Sequence, residues 1–93
     1  MIRSFRNSDT ETVWNRERVR SFGPELQRAA QKKLRLLNAA AELNSLRVPP
    51  GNRLEKLTGD RSGQHSIRIN GQFRICFIWT EAGPAEVEIT DYH

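Results

Sequence analysis

The chain has 93 residues, with 15 Lys and Arg against 11 Asp and Glu, a net charge of +4, two histidines and one cysteine. That length fits one domain, residues 1–93, which buries only about 60–65% of its unfolded surface. No run of about 18 apolar residues occurs, and Met1-Ile2-Arg3-Ser4-Phe5-Arg6 lacks an apolar signal core, so the expectation is a cytoplasmic protein with no membrane span or secretory leader. A lone cysteine, Cys76, excludes an internal disulfide, and with two His it cannot complete a four-ligand zinc site. No metal or other cofactor is expected.

Leu, Ile, Val and Phe total 22 residues, enough for a modest core. The charge is unevenly spread. Residues 1–80 hold all 15 bases and seven acids, whereas residues 81–93 hold four acids and no base. Twelve of the bases are Arg, the side chain that grips phosphate or carboxylate with two parallel N–H groups. Such a balance fits a solvated surface, a nucleic-acid partner or an acidic protein.

In chain order, Met1 to Arg6 reads as a short first strand. Ser8-Asp9-Thr10-Glu11 is a capping-box pattern, which predicts a helix from Asp9 to about Arg20 with Ser8 as N-cap and Val13 and Trp14 on its packing side. Phe22-Gly23 breaks it, and Pro24 suits the first position of a second helix. The stripe Leu26, Ala30, Leu34, Leu37, Ala41 carries that helix to about Asn44, with Arg28, Lys32 and Arg35 on its outer side. Pro49-Pro50-Gly51-Asn52 ends the helical half.

The second half alternates as strands do. Arg53 to Leu57 is a short strand, Thr58 to Gly63 a turn, and His65 to Ile69 a strand. Asn70-Gly71 signals a two-residue hairpin leading into Gln72 to Thr80. Glu81-Ala82-Gly83-Pro84 turns into a last strand that runs into Asp91-Tyr92-His93. The order strand, two helices, four strands predicts an α+β domain: two helices packed on one face of a small twisted antiparallel sheet.

If Phe73, Ile75, Phe77 and Trp79 face the helices, period two turns Arg74 to the other, open face. Arg68 alternates with it, and the two form a candidate cationic platform; alternatively Arg74 makes a structural ion pair, with Glu88 a candidate partner. Asp91, Tyr92 and His93 are three proton-handling groups at one strand tip, and an imidazole titrates near neutrality at about 6.5. Glu55 is either a general base or an ion-pair partner for an arginine. His65 reads as a cross-strand surface residue.

Four segments resemble HigB-type toxins of the RelE/ParE superfamily. They are 53–61 (RLEKLTGDR), 63–70 (GQHSIRIN), 73–77 (FRICF) and the terminal Asp91-Tyr92-His93, and the opening Met1-Ile2-Arg3-Ser4-Phe5 fits as well. The resemblance spans nearly the whole chain and implies a RelE-like fold. It also implies a toxin that cleaves mRNA in the ribosomal A site without a metal, by attack of a ribose 2′-hydroxyl on the adjoining phosphate. By position, His93, Asp91 and Tyr92 match the family's terminal catalytic trio, Arg74 its strand arginine at the scissile phosphate, and Glu55 a position where members carry His or an acid. Arg53, Lys56, Arg61 and Arg68 are then expected to contact RNA or the ribosome. Thr58 departs from the pattern, since many members have Lys there. Implied partners are a HigA-like helix-turn-helix antitoxin, the 70S ribosome with its mRNA, and operator DNA held mainly through the antitoxin. The rival reading is a ParE-like toxin that inhibits DNA gyrase by protein binding.

Overall fold

In the computed structural model, which describes residues 1–91, helices α1 (Ser8–Trp14) and α2 (Pro24–Ala39) precede strands β1 (Glu55–Lys56), β2 (His65–Arg68), β3 (Phe73–Thr80) and β4 (Gly83–Asp91). The strands form one antiparallel sheet in the order β1-β2-β3-β4. Both helices pack on one face. Val13, Ala30, Leu34, Leu37, Ile67, Ile75, Phe77 and Val87 meet there with no solvent exposure. Burying a ring such as that of Phe77 contributes up to about 3 kcal/mol. The α+β expectation is met.

Several boundaries differ from the sequence reading, each for a local reason. The N-cap of α1 is Asn7, not Ser8: its Oδ1 accepts from both the Thr10 amide and the Thr10 hydroxyl. The Thr10 oxygen in turn accepts from the Ile89 amide, which ties α1 to β4. The helix ends at Trp14, and Arg16 turns the chain away at φ 64°. Buried Gln27 then secures the connection, accepting from the Val19 amide and donating to the Glu17 carbonyl.

Pro24 does open α2, but the helix stops at Ala39 rather than near Asn44, because Ala40 is extended. A 3-10 turn over Leu43–Arg47 follows and delivers Leu46, 2% exposed, to the core, while Ala41 stays outside. A second 3-10 turn, Pro50–Asn52, is clasped to it by Asn52. That buried amide donates to the carbonyls of Leu46 and Val48 and accepts from the Lys33 ammonium.

Asn70-Gly71 does not form a two-residue hairpin. Ile69 and Phe73 close a loop over 70–72, and the Asn70 side chain accepts from the amides of Gln72 and Phe73 at 2.8 Å each. An Asn side chain standing in for a backbone acceptor produces this turn. The two-residue connection is Glu81-Ala82, between Thr80 and Gly83. Gly83 has φ 128°, and a Cβ on it would strike the Met1 carbonyl, so glycine is required.

Met1 to Arg6 is not a regular strand. It makes one parallel bridge, Phe5 to Val87, with amide bonds from Arg3 to Pro84, from Val87 to Ser4 and from Arg6 to Val87. This segment flanks β4 where β4 bulges. Cys76 pairs with Glu88 and Ile78 with Ala85, so Glu86 and Val87 together oppose Phe77. Glu86 takes φ 52° to accommodate the extra residue.

Candidate functional site

Period two, fixed by the strand registers, groups Glu55, Ser66, Arg68, Arg74, Cys76, Glu88 and Thr90 on the face turned from the helices. This face is less open than the sequence suggests. Ser66 and Cys76 are fully buried and Arg74 is 8% exposed, because chain around Arg53 and Arg61 reaches across it. Burial pushes the Cys76 thiol up, against a smaller opposing effect of Thr90, so it stays a neutral packing group at pH 7.

Arg68 and Arg74 are direct cross-strand partners. Like charges so placed repel unless held apart or shared with an anion. Both side chains are held. Arg68 Nε donates to the Asn70 carbonyl at 3.0 Å. Arg74 Nε donates to Ser66 Oγ at 2.8 Å, its Nη2 donates to the Arg53 carbonyl at 2.7 Å, and its Nη1 lies 3.6 Å from Glu55 Oε1. The Arg53 carbonyl can point there because Arg53 adopts the left-handed conformation, φ 46° and ψ 57°, immediately after the Asn52 clasp. Arg74 is therefore ion-paired, as the alternative reading allowed, but with Glu55. Glu88 is held by Arg61 at 3.0 Å instead.

Arg53, Arg68 and Arg74 line one cleft of about 260 Å³ together with Asn70, Gly71 and Gln72. Three arginines in the lining and one half-exposed carboxylate, Glu55, beside Arg74 make it strongly cationic. Its size and charge suit a phosphate diester with part of a sugar or base.

The other candidate residues are distributed around this cleft. Asp91 pairs with Phe73 and so lies on the helix side, but Gln72, on the cleft wall, donates Nε2 to its carboxylate at 3.0 Å. Lys56 is exposed on β1 and also turned to the helix side, opposite His65. Arg61 belongs to a neighbouring cleft of about 350 Å³ with Arg6, Asp60, Gln64 and Glu88. The placements expected for Tyr92 and His93 lie outside the described residues. The structure thus gathers Arg53, Arg68, Arg74 and Glu55, sets Asp91 one hydrogen bond away, and leaves Lys56 and Arg61 apart. Sequence reasoning missed Ser66. Its alternation with Arg68 put it on the correct face, yet its contact with Arg74 depends on the β2–β3 register.

His65 stacks on Phe77, ring centroids 6.3 Å apart, and its buried Nδ1 meets no hydrogen-bond partner among the described residues. Burial first, then Lys56, pulls its pKa below the usual value. Among the described residues no cluster of His, Cys, Asp and Glu could hold a metal ion, and no helix is long and apolar enough to cross a membrane.

Fold and cleft together define a small basic α+β domain with an arginine-lined cleft on the face away from its helices. The family model for the HigB-like toxins, RelE-like toxins of type II toxin-antitoxin systems, matches residues 3–93, and the chain belongs to this family. It is 42% identical over 65 residues to Toxin HigB-1 of Vibrio cholerae serotype O1, covering 70% of this chain and 68% of that protein. An uncharacterized protein of Haemophilus influenzae is 36% identical over 52 residues, 56% of this chain and 52% of its own length. Among solved structures, a chain of the YoeB-YefM complex from Staphylococcus aureus shares the fold at a TM-score of 0.63 and 14% identity, covering 100% of this chain and 98% of that one.

Proposed function

We propose that this HigB-like toxin is an endoribonuclease that cuts mRNA in the ribosomal A site and so halts translation. The observation that supports the reading best is the convergence of Arg53, Arg68 and Arg74 on one cleft, with Glu55 beside Arg74. In the proposed reaction the ribose 2′-oxygen bonds to the adjoining phosphorus while the bond from phosphorus to the 5′-oxygen breaks. The products are a 2′,3′-cyclic phosphate and a 5′-hydroxyl. A base takes the 2′-hydroxyl proton and an acid returns one to the departing oxygen. Glu55, Asp91 and His93 are the candidates for these two roles, and Tyr92 completes the set as a stacking or hydroxyl-donating group. Arg74 stabilises the negative charge that builds on the non-bridging oxygens of the phosphorane, and Arg53 and Arg68 hold the flanking backbone. Arginine supplies the positive charge beside the phosphoryl oxygens, and the reaction as written calls on no metal.

Lys56 and Arg61, set apart from the cleft, are assigned to ribosomal RNA, which would make attachment weaken as salt rises. A HigA-like antitoxin neutralises the toxin and carries most of the operator DNA contacts of the pair.

The test is mapping of RNA 5′ ends in a translating bacterial extract with wild type, His93→Gln and Arg74→Met, and naked mRNA alongside. Codon-phased cuts that need ribosomes, are lost in His93→Gln and fall steeply but measurably in Arg74→Met are expected. Undiminished cutting by either variant removes that residue from the site. Wild-type protein that arrests growth without cutting RNA refutes the nuclease reading and moves the target to DNA gyrase.

A further inference from the structure

We infer that Ser66 is a positioning residue for Arg74, fixing the guanidinium at the reacting phosphate through a neutral acceptor; this rests on the nuclease reading above. Ser66 has no solvent exposure, and its Oγ accepts from Arg74 Nε at 2.8 Å. The Arg53 carbonyl accepts from Nη2 at 2.7 Å. These two acceptors, on Nε and on Nη2, determine both the plane of the guanidinium and its rotation within that plane. Both acceptors are neutral.

The distinction has a chemical consequence. A carboxylate in either place would hold the arginine as firmly, but it would lower the potential that a phosphorane needs to meet. A hydroxyl and a carbonyl orient the cation and add no negative charge of their own. Among the described residues, the carboxylate that ion-pairs with Arg74 is that of Glu55, which stands at 3.6 Å with a side chain half exposed, where an arriving phosphate can compete with it. Ser66 is therefore the firm contact and Glu55 the replaceable one. Without the Ser66 oxygen, Nε loses its acceptor in a buried setting, and the guanidinium can turn toward Glu55. That rotation withdraws it from the phosphate.

Removing the oxygen should slow the chemical step while leaving RNA attachment, which is spread over many bases, nearly intact. The experiment is a double-mutant cycle on ribosome-programmed cleavage. Ser66→Ala is expected to lower kcat about tenfold with KM within about twofold, since the lost contact is used mainly in the transition state. Ser66→Cys keeps the volume with a poor acceptor and should behave likewise if Ala impairs folding, and Ser66→Thr, which retains a hydroxyl, should recover most activity. In an Arg74→Met background, Ser66→Ala should change kcat by less than about twofold, because the two residues act as a unit. A matching readout without turnover is the Arg74 Nε–H resonance, slowly exchanging in wild type and lost to exchange in Ser66→Ala.

Equal losses from Ser66→Ala in both backgrounds, or no loss at all, overturn the inference while the nuclease reading stands. Full activity of Arg74→Met overturns the role of Arg74 and this inference with it. Absence of wild-type cleavage refutes the nuclease reading, and the Nε–H exchange then still decides whether Ser66 holds Arg74.

Discussion

Replacing Asn52 by Ala should be among the most damaging changes available outside the apolar core. Asn52 is fully buried, and its amide makes three contacts: Nδ2 to the Leu46 carbonyl at 3.2 Å and to the Val48 carbonyl at 3.3 Å, and Oδ1 from the Lys33 ammonium. The two carbonyl bonds are long, so each is assigned the low end of the cost of an orphaned buried group, about 1 kcal/mol. Lys33 is partly solvated and can turn to water, which limits that loss to about 1 kcal/mol. The sum is about 3 kcal/mol, a large share of the ~5–15 kcal/mol that holds a domain of this size together. At about 4–8 °C per kcal/mol, Tm should fall by about 12–24 °C. Thermal melts by circular dichroism would measure it. Asn52→Asp is the control: it keeps the Lys33 contact but sets a carboxylate against two carbonyls, and it should be no better than Ala. A Tm drop below about 4 °C in Asn52→Ala, or a clear rescue by Asp, would refute the assignment of the clasp to the Nδ2 donor.

Gly83→Ala should cost about 2 kcal/mol or more, because φ 128° is strained for any L side chain and the new methyl meets the Met1 carbonyl. Urea unfolding would show it, and an unchanged midpoint would mean that the N-terminal segment does not press on this hairpin. Stability should also depend on pH through His65. Its folded pKa lies below the ordinary 6.5, so the unfolded chain takes up more protons as pH drops through that value. Tm should therefore decline from pH 7.5 to pH 5.5, and less steeply in His65→Gln; parallel curves for the two proteins would remove His65 as the cause.

How far the sequence disclosed this molecule depends on the range of the interaction concerned. Pro24 and the Leu26-Ala30-Leu34-Leu37 stripe announced α2, and period two placed Arg68 and Arg74 on one face, because both are local periodicities read against a single apolar surface. The exit at Ala40 was not legible: the apolar spacing runs on to Ala41, and only the burial of Leu46 and Asn52 shows why the chain leaves the helix. Nor could pattern distinguish Glu55 from Glu88 as the partner of Arg74. Both share its face, and the choice was made by chain folding across the sheet, which brings Arg61 to Glu88. The convergence of Arg53 on the cleft had no local signal, since it follows from a left-handed residue after a clasp made from 19 positions upstream.

The bridge between Phe5 and Val87 has a consequence for self-association. A four-stranded sheet normally offers two rows of unpaired amides to other chains. Here the β4 side is occupied, near its bulge, by backbone from residues 3–6, and the β1 side is only two residues long. Neither margin presents the long, flat row that strand addition between molecules requires.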